Sequence, residues 1–393
     1  MKKRLNSQIR GSGAVETTAG FLLNGFGNAI FIYLISINSS NEVLLQTIVY
    51  WSAIFWSGTV LAPFETLFLY SKAKKKSLNP SVLLPIVAVT IFTLSGLIIY
   101  LTLNSHPITI LIMAAIGYSN LINVRNRPIR LAMRDFRVVA RANTYEGLSR
   151  SLVMLCLVML QLDLNALIVL FVFLLGSLCA NTVYLQKMNY IFQPKYTFEN
   201  LKKEKIIGLS IIGASSALFT GGLPYFAGIF NDSNLTPYVT FYTITRLLLI
   251  IQSVITSIKP NQVNDFGINP RLRTFLIYSI VLIIPTTLGL FILKYLLSKI
   301  GLDYLSTINN FEVIFFSSSL IFGALYSIYL GSMCATNAWK ICVLPSISSS
   351  LVAITLLVAI ANKVLAFQVT MSAVPLFAIL IFLYQSAKLS KSS

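Results

Sequence analysis

Residues 237–260 read PYVTFYTITRLLLIIQSVITSIKP. This is a near-continuous apolar run, and about 20 such residues are enough to cross a bilayer as a helix. Arg246 interrupts it well inside. At about 1.5 Å of rise per residue, Arg246 sits roughly 12 Å from Tyr238, short of the midplane of a hydrocarbon core about 30 Å thick. Insertion scales charge about 2.5–3.5 kcal/mol for an arginine at such depth, so it turns towards a bundle interior or a wet cavity. Helical spacing puts Tyr242, Thr243, Arg246, Ser253 and Ser257 on one face. The run reads as a pore-side helix with a cation aimed at something anionic.

The whole chain shares this character. Its 393 residues are 56% hydrophobic and 11% charged, with mean hydropathy +0.79. A soluble domain carries about 25% charged residues and lacks repeated runs of bilayer length, so the class is a polytopic membrane protein. The net charge of +18 would suggest nucleic acid in a soluble chain. Here the basic residues fall in alternate loops, which is a topology signal. Cys156, Cys179, Cys334 and Cys342 lie in or beside apolar runs, and His106 is the single histidine. That composition argues against a metal site or a disulfide framework. The basic N-terminus, MKKRLNSQIR, leads into a long apolar run with no cleavage signature, so the first helix is expected to be retained.

Twelve apolar runs fall at 17–37, 43–70, 82–103, 108–123, 146–161, 166–188, 206–230, 238–258, 274–297, 311–336, 341–361 and 369–387. The expected fold is all-α, with about 12 transmembrane helices in two six-helix lobes. Residues 1–188 form the N-terminal lobe, 189–205 a basic linker and 206–393 the C-terminal lobe. Almost all of the 30 Lys and Arg belong to one set of loops; the opposite set has only Lys294, Lys299 and Lys363. The positive-inside rule then makes both termini cytoplasmic. The opposite loops are short, with no room for a folded domain. Two of them match: NSSNE at 38–42 follows the first run, and NDSNL at 231–235 follows the seventh. Six spans per half, related by an axis along the membrane normal, is a transporter plan.

No Gly-x4-Gly-Lys-Ser/Thr loop is present, so the chain does not hydrolyse nucleotide by itself. None of the twelve acids is expected near the middle of a span. Glu16, Glu65 and Glu146 fall near inner ends and Glu312 near an outer end, where solvation or pairing with the basic loops accounts for them. Glu65 and Glu16 are the candidates for coupling or gating. Arg150, a few residues into the fifth run, either snorkels to the interface or serves the cavity. Asn24 and Asn28 share a side of the first helix with Gly20 and Gly27, which allows close packing or a hydrated lining. Span seven carries Gly221, Gly222 and Pro224, a break with the same two readings. The segment NVRNRPIRLAMRDFRVVARAN at 123–143 spaces its arginines by three or four residues and reads as an interfacial helix on anionic lipid.

These features resemble a known family. Twelve spans, a first helix rich in Gly and Asn, and above all YVTFYTITRLLLIIQSVITSIKP are similar to the Wzx-type polysaccharide flippases of the multidrug/oligosaccharidyl-lipid/polysaccharide exporter superfamily. The resemblance implies a flippase for undecaprenyl-pyrophosphate-linked O-antigen or capsular repeat units. It would act by alternating access in lipopolysaccharide or capsule biosynthesis, in a bacterial inner membrane. Arg246 would be the cavity cation, helped by Arg150, with Asn24, Asn28, Tyr242 and Ser253 as further substrate-binding candidates. Arginine suits a pyrophosphate through its planar, bidentate donors. The implied partners are the lipid-linked anionic oligosaccharide, membrane lipid, a polysaccharide polymerase and assembly proteins, with no nucleic acid. No cofactor is expected beyond H+ or Na+ coupling, and no enzymatic activity. Two alternatives stand beside this: a cation-coupled multidrug exporter of the same superfamily, and a membrane polymerase or acyltransferase, which the short outer loops disfavour.

Overall fold

The computed structural model describes residues 2–65, 67, 77–79, 83–132, 135–185, 198–200, 203–218, 222–230, 232–246, 272–335 and 339–390. Among them, helices occupy each of the twelve apolar runs or its described part. The first series is α1 (Lys2–Asn38), α2 (Asn41–Thr59), α3 (Leu83–Leu103), α4 (Ile108–Ala132), α5 (Phe136–Met159) and α6 (Ala166–Leu185). The second series is α7 (Lys203–Ala217), α8 (Leu223–Gly228), α9 (Thr236–Arg246), α10 (Leu272–Lys299), α11 (Glu312–Ala335), α12 (Lys340–Ala359) and α13 (Lys363–Ser390). Two three-residue strands, β1 (Ser77–Asn79) and β2 (Phe198–Asn200), pair in parallel with Ser77 opposite Phe198, tying two basic loops together.

Apolar side chains face outward as well as inward, and polar ones are buried among them. Leu101, Leu111, Leu152 and Leu351 are exposed on their helices, whereas Ser57, Ser95, Ser119, Asn181, Ser215 and Ser349 are buried. In water this would cost free energy at both places. Against lipid tails it removes the conflict, because the outer surface needs no polar groups and interior hydroxyls can bond across helices. They do so. Ser57 pairs with Ser95 at 2.9 Å, Asn181 donates to Ser119 Oγ at 2.6 Å, and Ser215 pairs with Ser349 at 3.1 Å. Seven described helices are long and apolar enough to cross a membrane by length and composition. Helix α5 is not among them, because Glu146, Arg150 and their polar neighbours lower its hydropathy.

The arginine-rich segment departs from expectation. It does not form a separate interfacial helix; α4 runs on to Ala132 and α5 starts at Phe136, so the segment is the turn of a helix hairpin. Its arginines find protein partners there. Arg127 pairs with Glu65, which follows α2 by six residues, and Arg130, only 3% exposed, pairs with Asp135 at 3.0 Å. Arg130 also donates to Tyr184 O at 3.3 Å, satisfying one of the carbonyls left open at the C-terminus of α6.

Span seven is broken, with α7 ending at Ala217 and Pro224 in the first turn of α8. Aromatic side chains pack beside the break. Trp56 Nε1 donates to Ala214 O at 3.2 Å, supplying a carbonyl of the last turn of α7 with a donor, and its ring meets Phe226 edge-on at 5.4 Å. The α2–α7 contact therefore joins the two series. Further from the basic loops a single apolar cluster continues the join, with Phe31, Trp51 and Phe173 from the first series and Tyr242, Phe316 and Phe367 from the second.

Helices α1 and α5 pack most closely of all. Gly20 faces the backbone of Ala140, Gly27 faces the carbonyl of Gly147, and a Cβ on Gly147 would lie 2.5 Å from Asn24 Cα. Gly27→Val is expected to force these backbones apart and lower the melting temperature in detergent, at a cost of about 1–3 kcal/mol or more. Gly289, with nothing within 4 Å of a Cβ, is the control: Gly289→Ala leaves the melting temperature unchanged or slightly raised.

Candidate functional site

The close α1–α5 seam carries a charged cluster. Asn24 and Asn28 lie one turn apart on α1, near the middle of its candidate span Val15–Asn38. Glu146 and Arg150 lie one turn apart on α5. Arg150 donates from Nη2 to Glu146 Oε1 at 2.5 Å and from Nη1 to Asn28 Oδ1 at 3.1 Å. Asn28 Nδ2 donates to Asn24 Oδ1 at 3.0 Å, and Asn24 Nδ2 to Glu146 Oε2 at 3.4 Å. Four side chains thus close a ring of hydrogen bonds. Helix α6 supplies its third wall: the guanidinium carbon lies 4.6 Å from the Phe173 ring centre, and Gly176 leaves room for the arginine stem. A Cβ on Gly176 would approach Arg150 Cγ and Nε to 2.7 Å.

The Arg150 side chain is 8% exposed and that of Glu146 17%. Arg150 therefore does not snorkel; it is held at depth by an acid on its own helix. Glu146 also sits deeper than its position near a run boundary implied, because α5 begins ten residues before it. The sequence signal was present in pieces: two polar pairs at i,i+4 spacing, each beside a glycine. Their conjunction depended on which helices meet. Arg150 Nε is buried with no hydrogen-bond partner, so the cluster keeps one donor in reserve. A neutral pair of this kind tolerates burial, while removal of one partner leaves an uncompensated charge and costs about 3–5 kcal/mol.

The structure brings Asn24, Asn28 and Arg150 together and leaves the other candidates elsewhere. Glu65 is paired with Arg127 at the basic end. Glu16 meets Arg137 at 3.1 Å in an exposed pair of the kind that contributes little. Tyr242 is buried in α9, its ring 5.4 Å from that of Phe367. Arg246 is the last described residue of α9, with its side chain outside the described atoms, and Ser253 lies outside the described residues. Among the described residues, no group of three or more His, Cys, Asp or Glu is arranged to hold a metal ion.

A second polar centre lies at the end away from the basic loops. Glu312, the first residue of α11, accepts from Gln368 Nε2 on α13 at 2.7 Å and from the Tyr238 hydroxyl on α9 at 3.2 Å. Its other oxygen accepts from the Asn309 amide at 2.6 Å. Beside Tyr238 opens a cavity of about 390 Å³. Burial pushes the phenol of Tyr304, on its wall, above the ordinary tyrosine range, so it stays protonated.

No protein-family model matches the sequence, and no curated protein does. Solved structures do. The MATE multidrug transporter DinF-BH, in a ligand complex, matches with TM-score 0.57 at 14% identity, covering 98% of this chain and 95% of that one. A MATE protein in complex with MaL6 gives 0.54 at 11% identity, over 98% and 96%. Another, in complex with Br-NRF, gives 0.51 at 11%, over the same shares. The chain has the MATE transporter fold. It is a multi-pass membrane protein, and the neighbours described by these structures are transporters, not enzymes.

If the Glu146–Arg150 pair is what neutralises this seam, Arg150→Met and Glu146→Gln each lower the melting temperature in detergent. The double variant recovers most of the loss, because neither charge is then left alone. Equal, additive losses in the double variant would contradict the pairing.

Proposed function

We propose that this chain is an ion-coupled exporter working by alternating access, with Glu146 as the coupling acid and Arg150 as its internal counter-ion. The halves that move would be residues 1–188 and 206–393. The observation that carries the reading is the hydrogen-bonded ring of Glu146, Arg150, Asn24 and Asn28 at mid-depth of α1, in a chain with the MATE fold. A coupling ion shifts a conformational equilibrium only if it binds one state better. Here the guanidinium holds one carboxylate oxygen, Oε1, so a proton or Na+ that binds Glu146 competes with Arg150 for the acid. Binding of the ion then leaves Arg150 without its acid, which disfavours the closed α1–α5–α6 seam. The cargo class carried into this reading from the multidrug transporter it resembles is a drug-sized molecule.

A second reading concerns the cargo alone. Arg150 freed from Glu146 is a buried cation, which favours an anionic headgroup over a cationic drug. An undecaprenyl-pyrophosphate-linked oligosaccharide would exchange with Glu146 on the guanidinium, while Glu146 takes a proton. Under this reading the protein serves in a bacterial inner membrane beside a polysaccharide polymerase, and Arg246 is a second phosphate contact.

Proteoliposomes separate the two. Under an imposed proton or sodium gradient, the wild type is expected to move ethidium, and Glu146→Gln to bind it without gradient-driven accumulation. Absence of gradient-driven ethidium movement, with protein-dependent exposure of a lipid-linked oligosaccharide to an impermeant glycosidase, would replace the drug reading with the second. Loss of that exposure in Arg246→Ala would then identify its phosphate contact. Full ion-driven transport by Glu146→Gln would remove Glu146 as the coupling acid under either.

A further inference from the structure

The ion pair of Glu65 and Arg127 has no part in the hydrogen-bonded ring around Glu146, yet the two centres are neighbours. Arg127 lies within electrostatic reach of Glu146 and of the Tyr184 phenol, as well as of its partner Glu65. Tyr184, a buried residue of α6, lies within reach of Arg127, Glu146 and Glu65 in turn. One acid therefore sits deep, another sits at the basic end, and a single arginine is within range of both. Exposure falls in the same direction, from 30% for the Arg127 side chain and 20% for Glu65 to 17% for Glu146 and 8% for Arg150.

The directions of the helices place two further groups at depths between these pairs. Helix α4 runs towards the basic loops, so Asn123 lies one turn deeper than Arg127 on the same face. Helix α5 runs away from those loops, so Asn143 lies one turn nearer to them than Glu146. Both amides are buried, Asn123 at 9% and Asn143 at 3% exposure. Asn123 Oδ1 and Asn143 Nδ2 nevertheless have no hydrogen-bond partner. Buried polar atoms are normally satisfied. An acceptor on α4 and a donor on α5, left open between two ion pairs, are what water or a small cation would use on its way from one pair to the other.

We infer that Glu146 is reached from the side of the basic loops by a polar route for water and a small cation, and that the Glu65–Arg127 pair is the gate of that route. The inference rests on Glu146 as the coupling acid and adds the side from which the acid is served. Glu65 is a positioning residue here: it holds Arg127 and cancels its charge. A guanidinium without that partner, away from bulk water, would repel an entering cation. When the pair opens, the free amide groups of Asn123 and Asn143 can replace part of the hydration an ion gives up.

Thiol accessibility tests the route without reference to transport. In a background without native cysteines, Asn143→Cys is exposed to a membrane-impermeant cationic methanethiosulfonate in vesicles of each orientation. Modification from the basic side alone is expected. Glu65→Ala/Arg127→Ala, which removes the pair without leaving a lone charge, is expected to speed it about tenfold or more, as local opening becomes easier. Should the double variant unfold, Arg127→Lys, which keeps the charges but not the arginine's fork, is expected to speed it to a smaller degree. Glu65→Gln is expected to slow the cationic reagent relative to an anionic one, a ratio that a merely structural role would not move. Leu152→Cys, exposed on α5 towards lipid, is expected to stay unreactive throughout. No modification of Asn143→Cys in any background, modification from the opposite side, or one rate in all backgrounds overturns the inference. These rates are read apart from the Glu146→Gln transport assay, so failure of the route and failure of the coupling acid are told apart.

Discussion

A charge in the hydrocarbon depth of a membrane has to be neutralised where it stands, and the Glu146–Arg150 pair shows what that demands of everything around it. The two groups lie on successive turns of α5, but the turn alone does not satisfy them. Asn28 accepts a hydrogen bond from one guanidinium nitrogen and Asn24 donates one to the carboxylate, so α1 has to lie within backbone contact of α5. Glycines at 20, 27 and 147 permit that approach, and Gly176 makes room on α6. The packing of three helices is therefore subordinate to one ion pair. Such a pair is also a switch element, since any ion that takes the acid or any anion that takes the arginine undoes the geometry that holds it.

The same rule of local neutralisation explains the basic end. Arginines that the sequence spaces along one helical face do not spread on lipid; Arg127 and Arg130 turn inward to Glu65, Asp135 and the open carbonyl of Tyr184. On the opposite side, Lys363 likewise caps α12 by donating to Leu357 O at 3.0 Å and Ile360 O at 3.1 Å.

Much of the fold was legible because a bilayer imposes a simple code. Each apolar run is helical in its described part, since backbone groups in lipid have to bond within their own segment. The site was legible only in part. Asn24, Asn28 and Arg150 could be singled out as polar residues in apolar helices, but their union required knowing that α1 lies on α5 and not on its chain neighbour α2. Glu146 reads from the sequence as an acid near an inner end, because polar residues shared between helices depress hydropathy and the apolar run begins ten residues after α5 does. Tyr242 illustrates the converse, since a tyrosine on a polar face can still turn its ring into the core against Phe367.

The central claim is that the state of Glu146 governs which end of the bundle is open. The most direct measurement is a spin-label distance across the end away from the basic loops. Labels at Asp163→Cys and Ser306→Cys, both exposed positions, in a background without native cysteines, would report it in nanodiscs. The wild type should change its distance distribution on acidification or sodium addition, and Glu146→Gln should already show the changed distribution and respond no further. Identical distributions for the wild type and Glu146→Gln under every condition would contradict the account.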